Sequence, residues 1–197
     1  MNAHPADRDA LRFHACLLWS HGRPPVLDER ELAETIQVVL IEEVEQWIDQ
    51  LFRSAAGPFG VGHVVRPAME RDGVAGRLLR TVPRELRRWL STEGFAPDLA
   101  AAALARATAQ ARRDVQRLGR SPLVRPEVRG ARLAAHVELL AVLALAARPM
   151  LPGWSAFIAG QLGVPADLRR SAGGRLVRPG RRLPAELPGY FRLPPEV

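Results

Sequence analysis

Between residues 28 and 55 the apolar side chains Leu32, Ile36, Val39, Leu40, Val44, Trp47 and Leu51 recur at helical spacing. An α-helix gathers such a set into one buried stripe, and a strand would scatter it over both faces. Asp28, followed three residues later by Glu31, supplies the N-cap and the return acid of a capping box. A long helix that hides a stripe this wide needs other helices to hide it against, and the rest of the chain supplies them. Helices are predicted over about residues 7–20, stopped by Gly22 and Pro24-Pro25, and over 74–91, a segment that contains Pro83 and reads as one helix or as two short ones, the second capped by Thr81. A fourth begins one residue before Pro97 and runs to Leu118, closed by Gly119; a fifth spans about 127–147. Pro149 ends that one, Pro152 starts a sixth through Trp154, Phe157, Ile158 and Leu162, and Gly163 stops it. No alternating run is long enough for a sheet. The expected fold is all-α: a bundle of five to six helices over residues 1–163, and an extended tail rich in Pro, Gly and Arg over 164–197, packing back on the bundle or on a partner.

With 197 residues, 47% of them apolar, the chain can bury a sizeable core. Its single cysteine, Cys16, excludes an internal disulfide and a cysteine-rich zinc site. Charges at Asp7, Arg8, Asp9 and Arg12 interrupt the start, so no signal peptide is expected. The longest apolar run, Val137 to Ala147, contains Glu138 and is too short to cross a bilayer. A cytoplasmic protein with no membrane contact is the expectation. His14, His21, His63 and His136 have no metal-gathering spacing, and His4 lies in the leader; no Ser-His-Asp set, carboxylate pair or glycine-rich phosphate loop stands out. No catalytic residue, metal or cofactor is expected.

All 28 basic residues are arginine. Chemistry that needs a lysine, such as a Schiff base or a phosphate-loop lysine, is therefore outside this chain's means. The charge is unevenly placed. Residues 28–52 hold eight acids and one arginine, so the remainder is strongly basic. At 100° per residue Glu31, Glu34, Glu42, Glu45 and Asp49 fall on one line opposite the apolar stripe. Arg77, Arg80, Arg84 and Arg88 share a face if their segment is one helix, as do Arg106, Arg113, Arg117 and Arg120 on the fourth; Arg169, Arg170, Arg175, Arg178, Arg181 and Arg182 load the tail. Three readings fit these rows: a phosphate-tracking RNA surface, plainly solvated arginines, or docking to an acidic partner, including this chain's own acidic line in a homodimer.

Six segments, in order, carry a resemblance: Asp9-Ala10-Leu11-Arg12-Phe13, the long second helix from Glu31 to Phe52, then Gly94-Phe95-Ala96-Pro97-Asp98-Leu99, Leu139 to Pro152, Trp154 to Gly163, and Pro188-Gly189-Tyr190-Phe191. Together they resemble the C-terminal anticodon-binding helical domain, of the DALR-like kind, of class I aminoacyl-tRNA synthetases, nearest methionyl-tRNA synthetase. The resemblance covers nearly the whole chain and leaves out that family's nucleotide-binding domain and lysine loop, which implies a module without amino-acid activation. In the family the second long helix presents an asparagine and, one turn on, an arginine to the anticodon; Gln46 and Gln50 stand at those places. The family's stacking tryptophan has no counterpart between Arg112 and Arg120. Together with the acidic line, this argues against unchanged anticodon reading. What the resemblance implies is a free-standing non-catalytic module, acting in tRNA binding or as the detached accessory part of a synthetase-like enzyme, in tRNA aminoacylation or in amino-acid activation for specialised metabolism. Its implied partners are tRNA and a separately encoded synthetase-like catalytic subunit. The alternative is a protein-interaction subunit that docks on such a partner through its first helix and tail without touching RNA.

Overall fold

The computed structural model describes residues 4–19, 26–56, 63–64, 73–121, 123–164, 176–177, 181–184 and 187–191. Arg169, Arg170, Arg175 and Arg178 lie outside them. The architecture is all-α. Helix α1 is Pro5–Leu17; α2 (Glu29–Thr35), a π-helical segment (Ile36–Glu45) and α3 (Gln46–Ala56) follow one another as a single rod; α4 is Val74–Trp89, α5 Pro97–Arg120, α6 Pro126–Ala146 and α7 Pro152–Leu162. The only strands among the described residues are a two-residue antiparallel pair, His63 opposite Arg182 and Val64 opposite Arg181, which ties the connection after the rod to the tail.

The starts of α1 and of the rod are set locally. His4 is not leader: its ring Nδ1 accepts the Ala6 N–H at 3.3 Å while Asp7 accepts the His4 N–H, a capping box ahead of Pro5. Helix α1 ends at Leu17, three residues short of the expected stop. Asp28 Oδ1 accepts the N–H groups of Arg30 and Glu31 at the head of α2. His14 Nδ1 lies 2.9 Å from Thr35 Oγ1 and ties α1 to the rod.

Ten residues of i→i+5 bonding in the middle of the rod were not legible in its spacing. They shift the phase of every side chain downstream relative to a uniform α-helix. Gln37 donates to Glu42, five residues on, at 2.9 Å, a pair that π-helical geometry lines up. Leu40, Val44, Trp47, Leu51 and Phe52 still reach the core and are essentially inaccessible. The acids do not remain one solvated line: Glu31 and Glu34 are exposed, but Glu42, Glu43, Glu45 and Asp49 are half-buried against neighbours.

Pro83 lies inside one continuous α4 rather than dividing it. It sits on the buried face with Val82 and Leu86, and Arg87 Nε donates to its carbonyl at 3.2 Å. Thr81, expected as a cap, donates back to the Arg77 carbonyl instead. Buried Ala100, Ala101, Ala103, Ala107 and Ala111 let α5 lie close to its neighbours α1, α3 and α4, and α5 runs through Gly119 to Arg120. Apolar almost all round, α6 is the central helix, against α3, α4, α5 and α7. Gly163, at φ 62° and ψ 34°, supplies the left-handed stop of α7, and Val164 N–H returns to the Ala159 carbonyl at 2.8 Å. No helix is long and apolar enough to cross a membrane among the described residues.

Candidate nucleic-acid interface

Two arginine rows emerge from these helices. Because α4 is unbroken, Arg77, Arg80, Arg84 and Arg88 fall on one face, and all four are exposed. On α5, which packs against α4, Arg106, Arg113, Arg117 and Arg120 are exposed as well. Between Arg106 and Arg120 the other exposed residues are Gln110 and Gly119, so no exposed carboxylate interrupts the α5 row. The one acid in that stretch, Asp114, turns inward, where its Oδ2 lies 3.0 Å from Nε2 of the fully buried His136. Burial pulls the Asp114 carboxyl up, but the hydrogen bond and charge of His136, with Arg132 and Arg117 nearby, hold it below its ordinary 3.8. His136 in turn meets Trp47 edge-on, with centroids 6.3 Å apart.

Gln46 and Gln50, one turn apart on α3, are not a free pair. Arg112, a residue the sequence reading left without a role, reaches from α5 to the rod: Nη1 donates to Gln46 Oε1 at 3.1 Å, Nη2 to Glu43 Oε1 at 3.0 Å, and Nε lies 2.9 Å from Glu43 Oε2. The guanidinium thus bridges Glu43 and Gln46 with one hydrogen bond to each, and the bond to Glu43 is charge-assisted. Gln50 is half-buried, with its Oε1 enclosed and without a hydrogen-bond partner among the described residues.

The opening motif is divided by its helix. Ala10 is packed in the core; Leu11 and Arg12 are exposed, and Arg12 lies 3.6 Å from Asp9. Asp9 itself is 2% exposed. Its Oδ2 accepts the backbone N–H of Trp154 in the first turn of α7 at 2.7 Å and the Tyr190 hydroxyl at 3.1 Å. One carboxylate therefore caps a helix 145 residues away and pins the tail over it. Gly153 makes the approach sterically feasible: a Cβ there would overlap the Tyr190 hydroxyl and stand 3.0 Å from Asp9 Oδ2.

Two further acids hold the tail. Glu45 Oε1 accepts the N–H groups of Tyr190 and Phe191, both at 2.5 Å. Glu138, buried on α6, accepts those of Leu176 and Val177 at 2.7 and 3.1 Å. Neither role was read from sequence, although a lone carboxylate inside the apolar run of α6 signals a buried polar partner, since an unpartnered buried charge costs far more than the roughly 2–7 kcal/mol of a neutral polar group. Burial raises the Glu45 carboxyl above its ordinary 4.5, opposed by the N–H groups of Phe191 and Tyr190. A raised folded value means that the folded chain takes up this proton more readily than the unfolded one. The group favours folding below 4.5 and the benefit disappears as pH rises through the raised value. Glu45→Gln keeps Oε1 as acceptor and removes the charge. Urea unfolding should therefore find this variant at least as stable as the parent at neutral pH, with the advantage gone below pH 4.5. A variant weaker at neutral pH than at low pH would contradict that sign.

No cluster of histidine, cysteine or carboxylates suited to a metal ion occurs among the described residues. No family model matches the chain, and no curated protein matches it in sequence. Its fold matches solved structures of Mycobacterium tuberculosis methionyl-tRNA synthetase. The free enzyme superposes with a TM-score of 0.75 and 23% identity over 95% of this chain and 39% of the synthetase. The complex with methionyl-adenylate gives 0.74 and 23% over 93% and 37%. The shared property at this identity is the fold, and the chain spans less than two fifths of those synthetases.

Proposed function

We propose that this chain is a non-catalytic, synthetase-type helical module that binds tRNA through the arginine faces of α4 and α5, beside a synthetase-like catalytic partner. The observation that carries the reading is the α5 row, Arg106, Arg113, Arg117 and Arg120, exposed without an intervening exposed acid on a helix of this fold. Guanidinium groups spaced one to two turns apart suit a phosphate backbone, with affinity drawn from counterion release. Gln46 and Gln50 are not the contact: Gln46 is occupied by Arg112, and Glu42, Glu43 and Glu45 surround it in sequence. The bundle and its strapped tail, on this reading, act as one unit.

The test is a gel shift with tRNA across a salt series. Binding should weaken steeply with salt, and changing Arg113, Arg117 and Arg120 to Glu should reduce the log–log slope by about 2–3, near the ~0.7–0.9 per lost phosphate contact. Gln46→Ala with Gln50→Ala should leave the slope unchanged. Absence of binding at low salt would remove RNA from the account. A protein-docking reading is favoured by one feature, the exposure of Leu11 and Arg12 on α1, and predicts a co-purifying subunit lost in Leu11→Glu.

A further inference from the structure

A cavity of ≈ 250 Å³ opens between the rod, α7 and the returning tail. That is room for about eight waters at liquid density, hence for a small organic molecule. Ile48 and Ile158 give it aliphatic walls, Trp154 and Phe157 aromatic ones, and Glu45 and Asp49, one turn apart, its acidic side. No arginine or histidine is among the described residues that line it.

The polar groups here are incompletely used. Both tail N–H groups go to Glu45 Oε1, leaving Oε2 without a hydrogen bond among the described residues, on the side facing Gly189, where an added Cβ would stand 3.1 Å away. The indole N–H of Trp154, on a residue 1% exposed, likewise has no partner among the described residues. Asp49 is engaged by Arg53 from the solvent side. Burial acts on the Glu45 charge, as its raised carboxyl records. An acidic edge on an apolar, aromatic cavity is complementary to a cation with an apolar body.

We infer that this cavity binds a small organic cation, a primary amine with an aromatic or branched aliphatic body, with its ammonium between Glu45 and Asp49 and its body against Trp154, Phe157 and Ile158. The ammonium brings three donors to the two carboxylates and none of the burden of a second charge. An amino acid of the same side chain is disfavoured, because its carboxylate would stand against Glu45 and Asp49, and the arginine beside them, Arg53, is already paired with Asp49. The inference is independent of RNA binding, and its failure leaves that reading intact.

Phenethylamine is the probe, titrated into the ¹⁵N-labelled full chain. The chain has four tryptophans, and the indole peak that vanishes in Trp154→Phe identifies the one in the cavity wall. That peak should shift saturably with phenethylamine while those of Trp19, Trp47 and Trp89 stay in place. Phenylalanine and 3-phenylpropionate should leave it unmoved. Asp49→Asn, at a half-exposed position, should weaken binding at least about tenfold, the worth of one charge-assisted hydrogen bond, and Glu45→Gln should do the same. An unsaturable response, equal binding of the propionate, or unchanged affinity in both variants would overturn the assignment.

Discussion

Asp9→Ala is expected to lose about 3 kcal/mol of folding stability, the sum of a charge-assisted bond to a buried N–H at ~1.5–3 and a second to a phenol at ~1. In a chain of this size that lowers the melting midpoint by roughly 6–12 °C. The loss is large because the Trp154 N–H is enclosed in the first turn of α7 and Asp9, itself buried, is its acceptor. The Tyr190 hydroxyl, whose ionisation is pushed far up by burial and by the Asp9 charge, remains a donor at every accessible pH, so its bond fails only when Asp9 is removed. Asp9→Asn, which keeps one oxygen, should lose about half as much. Urea unfolding with matched slopes measures both, and an alanine variant with the parent's midpoint would show that the crossing of helix, helix and tail is not held by this carboxylate.

Glu138→Ala should release the tail, at about 2–4 kcal/mol from two lost hydrogen bonds and the exposure of Leu176 and Val177. Both N–H groups find water once freed, so the total falls short of full burial of two unpaired donors. Limited proteolysis should then cut near residues 176–177 while the bundle stays resistant. Glu138→Leu separates the two contributions, since it restores apolar volume on α6 without an acceptor: the tail should still be cut, with the bundle's own stability recovered. Resistance of both variants would mean that the Glu138 carboxylate is not what holds residues 176–177.

These predictions centre on acids, and the acids were the least legible part of the sequence. Reading residues 28–52 at 100° per residue put Glu31, Glu34, Glu42, Glu45 and Asp49 on one solvated line. That geometry holds only while the helix is α-helical, and the π-helical stretch from Ile36 to Glu45 ends it. Glu45 is turned to the tail, and Glu43 to Arg112, 69 residues away in sequence. The apolar positions survived the same phase change because burial tolerates an error of tens of degrees, which a hydrogen bond does not. Arg112 was equally hidden: among arginines of identical chemistry, only its proximity to Glu43 and Gln46 distinguishes it from Arg113 beside it.

Local chemistry in the chain determined where helices begin and stop. Asp28, Pro97, Pro152 and Gly163 act within four residues of themselves, and periodic apolar residues state which face is buried, so an all-α bundle and the helix ends at these four residues could be written down directly, whereas α1 stops three residues early and α5 runs past Gly119. Tertiary structure alone decided which polar groups meet. Asp9 with Trp154 and Tyr190, Glu138 with Leu176 and Val177, and Asp114 with His136 are pairings across 22 to 181 residues. Sequence carries no record of such distances, because a carboxylate on a helix looks the same whether it faces water or, once other helices close around it, the one backbone N–H that water can no longer reach.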